Sequence, residues 1–76
     1  MSTVTVEAKY HVLKIYINDT VHVRIAHSDD LSFILYIDAE TKSYCIEFYS
    51  NGNKILTDYD NKELWLDILE KLNEAL

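Results

Sequence analysis

The sequence contains no proline and only one glycine, one cysteine and one arginine. With 49% apolar residues, the near-absence of Gly and Pro excludes a disordered, linker-like chain. A lone Cys45 can make neither an internal disulfide nor a Cys-based zinc site. Arg24 is the single arginine, and no two Lys or Arg residues are adjacent. Grip on a phosphate backbone draws on such residues, so no direct nucleic-acid binding and no anionic membrane partner are expected. Long apolar runs are also missing. The longest, Phe33 to Ile37, has five residues, against the ~20 needed to span a bilayer. No basic, then apolar, then small-residue order of a secretion signal opens the chain, and the expected location is cytoplasmic. One glycine is too few for a phosphate-cradling loop, so no cofactor is expected.

What is present is a dense apolar inventory: 9 Leu, 8 Ile, 6 Tyr, 5 Val, 2 Phe and 1 Trp in 76 residues. The chain reads as one small domain over residues 1–76. A domain of this size buries only about 60% of the surface its unfolded form exposes. Its core must therefore be tightly packed, or be extended by a second copy. A charge of −6 serves solubility and is compatible with a basic protein partner.

Alternation with period two dominates the first 59 residues. It runs through Val4, Val6 and Ala8; Leu13, Ile15 and Ile17; Val21, Val23 and Ile25; Leu31, Phe33, Leu35 and Ile37; and Tyr44, Ile46 and Phe48. Turns fall at Asn18-Asp19-Thr20, at His27 to Asp30 and at Ala39 to Ser43. Asn51-Gly52, between alternating runs, is a strong hairpin signal. The stretch from Lys54 to Tyr59 is ambiguous, because Ile55/Thr57/Tyr59 and Lys54/Leu56/Asp58 are both mixed. Short loops between successive strands imply an antiparallel meander.

After residue 59 the period changes. Asp60 is the expected N-cap, with Glu63 completing a capping-box arrangement. Leu64, Trp65, Ile68, Leu69, Leu72, Ala75 and Leu76 form an apolar helical stripe. Leu66 is the apolar misfit among the charges. The expected fold is α+β: an antiparallel five-stranded β-meander with one C-terminal amphipathic α-helix packed on one face. The covered face would hold the alternating set from Leu13 to Phe48, Val21 included.

The opposite face would then carry Val12, Lys14, Tyr16, His22, Arg24, Ala26, Ile34, Tyr36, Asp38, Cys45, Glu47 and Tyr49. Tyr and Arg suit interfaces because they bury area while satisfying a polar end. Tyr16, Arg24, Ile34, Tyr36 and Tyr49 are the candidate contact residues, although strand propensity alone also favours Tyr and Ile. A homodimer through this Tyr-rich face or through an edge strand is expected.

Catalytic and metal chemistry find little purchase. His11, His22 and His27 lack the convergence of a zinc site. Cys45 with His22 and Glu47 could line a site at a dimer seam, but the one glycine is used in a hairpin turn and no nucleophile elbow accompanies them. The acids from Asp58 to Glu63 lack the glycine and spacing of a calcium loop and suit a helix N-terminus. No enzyme, no metal and no catalytic residue are expected.

Charge concentrates at the end of the chain. Residues 58–76 hold six acids and two lysines, which leaves residues 1–57 with a net −2. Leu66, Asp67, Glu70 and Glu74 are therefore candidate contacts for a basic surface. The layout of a tiny acidic chain, strands, an Asn-Gly hairpin and a short C-terminal helix looks like that of many small phage and mobile-element proteins, anti-CRISPR inhibitors among them. The likeness is one of layout and transfers no residue. Three expectations result. The first is a non-enzymatic acidic protein–protein interaction module. The second is an inhibitor acting as an acidic decoy for a basic nucleic-acid-binding surface. The third is a small enzyme or ligand carrier with a seam site.

Overall fold

The computed structural model describes residues 2–76. Its chain order is β1 (Val4–Lys9), β2 (Val12–Ile17), β3 (Thr20–Ala26), β4 (Ser32–Ile37), β5 (Tyr44–Ser50), β6 (Asn53–Tyr59) and α1 (Lys62–Ala75). The class is α+β, but six strands form two antiparallel three-stranded sheets in place of one five-stranded meander. Sheet A has the order β1-β2-β3 and sheet B the order β4-β5-β6.

The extra strand comes from a turn that the sequence hides. Tyr10 and His11 both take positive φ, 55° and 61°, and close a two-residue hairpin between β1 and β2. Such turns favour Asn and Gly because a Cβ crowds the left-handed region, so Tyr-His gives little warning. The two expected hairpins do form, with positive φ at Asn18-Asp19 and at Asn51-Gly52. Thr3 and the first of these turns close on each other: the Thr3 amide donates to Asn18 Oδ1 and the Asn18 amide to the Thr3 carbonyl, both at 2.9 Å.

The sheet divides between β3 and β4. Residues 27–31 turn the chain away from β3, and polar side chains fix the route. Ser28 bonds Ser50 through their hydroxyls at 2.6 Å, and the Asn51 amide donates to the Asp30 carboxylate at 3.2 Å. The Ser28 hydroxyl also donates to Asp30. These bonds hold the Asp30 carboxyl below its usual range, the Ser28 contact first. The linker is thus latched onto the β5–β6 hairpin. Packing supplies the reason. A helix is about 10 Å wide and covers about two strands spaced ~4.8 Å apart. A single wide layer would leave apolar residues wet, whereas two narrow sheets bury their inner faces together.

The core takes Val4, Leu13, Ile15, Val23 and Ile25 from sheet A, Ile46, Phe48 and Tyr59 from sheet B, and Ile68 and Leu72 from α1. The helix lies along β1 and also touches β5 and β6, while β3 lies against β5 and β6. Trp65 fastens the helix to sheet B: its indole N–H donates to the Cys45 carbonyl at 3.0 Å, and its ring lies 5.2 Å from Tyr44. Asn61, not Asp60, is the N-cap, its side chain accepting from the amides of Glu63 and Leu64. The Asn61 side chain thereby takes the Glu63 amide, the donor that Asp60 was expected to bond, and the Leu64 amide with it.

Two members of the expected inner set turn outward. Opposite Ile15 stands Val23, but opposite Tyr16 stands Val21, so His22 is an extra, bulged residue. The bulge sends Val21 to the outer face, 48% exposed. Ile37, at the end of β4, is 56% exposed although its parity is that of the core. No helix of the described residues is long and apolar enough to cross a membrane.

Candidate interaction surface

The split leaves two outer faces, and the candidate residues divide between them. On sheet A, strand register aligns Glu7, Lys14 and Arg24 in one row across three strands. Thr5, Tyr16 and Val21 form the next row. Tyr16 and Arg24 therefore share this face, Arg24 exposed and Tyr16 half-buried. Arg24 also rims a cleft of about 550 Å³ with His11 and Lys54.

On sheet B the rows are Ser32–Tyr49–Lys54, Ile34–Glu47–Leu56 and Tyr36–Cys45–Asp58. Ile34, Tyr36 and Tyr49 come together here. Ile34 and Leu56 are 51% and 56% exposed and stand on either side of Glu47. Glu47 is held from two directions. The Tyr49 hydroxyl donates to its Oε2 at 2.8 Å, and Lys54 Nζ lies 3.2 Å from its Oε1. The Lys54 ammonium also sits 5.9 Å from the centre of the Tyr49 ring, a cation–π arrangement.

These contacts set the electrostatics. The Tyr49 hydrogen bond, followed by that of Lys54, keeps the Glu47 carboxyl below its ordinary value. Glu47 in turn raises Tyr49 and Lys54 above theirs. Tyr36 is raised by loss of hydration first, then by the charge of Glu47 and the neighbouring Cys45 thiol. At neutral pH the face presents a neutralised Glu47–Lys54 pair framed by Ile34, Leu56 and two neutral tyrosines. A fixed, self-neutralised polar centre within an apolar frame can be covered by a protein surface without stranding a bare charge.

The third group of candidates lies on α1. Leu66 is 44% exposed. Asp67 lines a groove with Ser2, Asn61, Glu63 and Leu64, while Glu74 lines another beside Val4 and Val6. Glu74 lies 3.8 Å from Lys71, and Asp67 and Glu70 have no ion-pair partner among the described residues.

The seam trio does not assemble within one chain. His22 does not share a face with Cys45 as expected, because β3 belongs to sheet A and β5 to sheet B, and its ring lies 5.4 Å from that of Tyr59, an inner-face residue of sheet B. Cys45 and Glu47 belong to the outer face of that sheet. Among the described residues no three His, Cys, Asp or Glu side chains converge as a metal site would require.

Leu56, Glu47 and Lys54 were absent from the expected contact set. A two-residue Asn51-Gly52 turn fixes the pairing of Ser50 with Asn53 and hence of Glu47 with Leu56. That arithmetic, applied to the ambiguous last strand, identifies the row. Comparison with protein-family models, with curated proteins and with solved structures finds no match, so the surface is interpreted from its own chemistry.

Proposed function

We propose that this chain is a non-enzymatic protein–protein interaction module whose contact surface is the outer face of sheet B. One observation carries this reading: Ile34 and Leu56, each more than half exposed, flank a pinned Glu47 in one row. Isolated exposed apolar residues are ordinary, whereas a row of them beside Tyr36 and Tyr49 is the composition of an interface centre. The separation of His22 from Cys45 and Glu47 favours binding over catalysis. A free, buried Cys45 suits a reducing compartment such as the cytoplasm. Self-association belongs to the same reading.

Capture from the native host, followed by quantification of what is retained, tests this. Ile34→Glu with Leu56→Glu is expected to reduce retained partner at least tenfold, with Arg24→Glu retaining it. Equal capture by both variants contradicts the reading.

A second reading has its own support. Of the helix acids only Glu74 has an ion-pair partner among the described residues, Lys71. An inhibitor of the anti-CRISPR kind, acting as an acidic decoy for a basic groove, would use Leu66, Asp67, Glu70 and the rest of this stripe. Its binding would weaken with salt and disappear when Asp67 and Glu70 become Lys, while Leu56→Glu would leave it intact.

A further inference from the structure

We infer that β4 pairs with β4 of a second copy, antiparallel about Leu35, joining two copies of sheet B into one six-stranded sheet. This rests on the reading that sheet B carries the contact surface, and it names the partner and the register.

The sheet edges differ in charge and in cover. β1 has Glu7, Lys9 and the helix alongside; β3 has Arg24, a bulge and the opposing sheet; β6 has Lys54 and Asp58. Charges, bulges and covering elements are the usual means by which edges resist pairing. β4, Ser-Phe-Ile-Leu-Tyr-Ile, has no charged residue, and β5 is its one extensively contacting element. Its unpaired backbone groups face outward, and both of its faces are incompletely covered. Phe33 and Leu35 are half-buried and Ile37 exposed on the inner side; Ile34 is exposed and Tyr36 half-buried on the outer side.

Strand parity restricts the partner. Directly opposed residues in an antiparallel pair share a face. A twofold axis at Leu35 therefore sets Leu35 on the partner's Leu35, Phe33 on the partner's Ile37, and Ile34 on the partner's Tyr36. Each poorly covered side chain meets another, on both faces at once. The next position sets the Asp38 carboxylate against the partner's Ser32 hydroxyl, an acceptor against a donor. The neighbouring register, centred on Ile34, would instead set Tyr36 on the partner's Ser32 and carry Ile37 past the end of the partner's β4. The strand is thus self-complementary about Leu35. A dimer between chains of charge −6 should tighten as salt screens their repulsion, the opposite of acidic docking on a basic surface.

Sedimentation equilibrium of the full chain up to about 200 µM, at low and at about 0.5 M salt, tests the dimer. Disulfide trapping tests the register. Ile34→Cys and Tyr36→Cys chains, both in a Cys45→Ser background, are mixed and mildly oxidised. The expected results are a dimer that strengthens with salt, a mixed 34–36 cross-link, and at least tenfold weaker association for Ile34→Lys with Ile37→Lys. Both changes fall at exposed positions, and an unaltered circular dichroism spectrum confirms the fold. A monomer under all conditions overturns the inference. So does a predominant 34–34 cross-link, or a dimer that yields neither. A monomer that still loses its captured partners on Leu56→Glu refutes the β4 pairing alone and leaves the sheet B surface standing.

Discussion

The two outer faces of this molecule share a plan of three antiparallel strands and differ in the middle row. On sheet A that row is Glu7–Lys14–Arg24, charged throughout; on sheet B it is Ile34–Glu47–Leu56, a charge between two exposed aliphatics. Cross-strand neighbours account for the rest. Lys14 stands directly opposite Arg24, like charges with no ion-pair partner among the described residues, whereas Glu47 is bonded by Tyr49 and Lys54. A charged face and the face proposed for contact can therefore be built from strands of similar overall polarity. What decides is whether each charge is matched within the face.

The largest expected effect tests whether the two sheets share one core. Leu13→Ala in sheet A and Ile46→Ala in sheet B, both fully buried, should each cost about 2–5 kcal/mol. Each should unfold the chain in one transition by urea denaturation followed by circular dichroism. Separate transitions would make the sheets independent and break the comparison. Next, Ile34→Thr with Leu56→Thr turns the apolar row polar. Association should fall about tenfold, roughly 1.4 kcal/mol, with stability little changed, since both sites are exposed. Tyr16→Thr with Arg24→Thr, on the other face, should leave association unaltered.

A smaller effect sharpens the electrostatic contrast. The Glu47 carboxyl titrates lower in the folded chain than in the unfolded one. Its contribution is fully present above the unfolded value of about 4.3 and is lost as pH falls through the lower folded value. Glu47→Gln should flatten the acid limb of the stability–pH curve, and Arg24→Gln should not. The smallest effect concerns Tyr59. Its hydroxyl is buried without a hydrogen-bond partner among the described residues, and burial raises its pKa. Tyr59→Phe should be neutral or stabilising by up to about 1 kcal/mol in the same denaturation assay.

The strands and the helix were legible because period-two and period-3.6 patterns report burial directly. The Asn18-Asp19 and Asn51-Gly52 turns were legible because those residues tolerate left-handed backbone. Tyr10-His11 was not, since neither residue advertises that conformation. The bulge at His22 was hidden because Val21 keeps the alternation in sequence while the register moves past it. The division into two sheets rests on Ser28 and Asp30 bonding residues about twenty positions away, a long-range choice no local pattern records. The surface proposed for contact was half legible. Ile34, Tyr36 and Tyr49 were grouped correctly on one face, but Tyr16 and Arg24 were joined to them on the assumption of a single layer.

The most direct measurement is amide and methyl NMR of the full chain over a wide dilution series. Concentration-dependent shifts are expected at Ile34, Leu35, Tyr36 and Ile37, with Val12, Lys14, Tyr16 and Arg24 unmoved. Shifts centred on those four sheet A residues would contradict the assignment of contact to sheet B, and a spectrum that does not change with concentration would contradict the pairing of β4 with its copy.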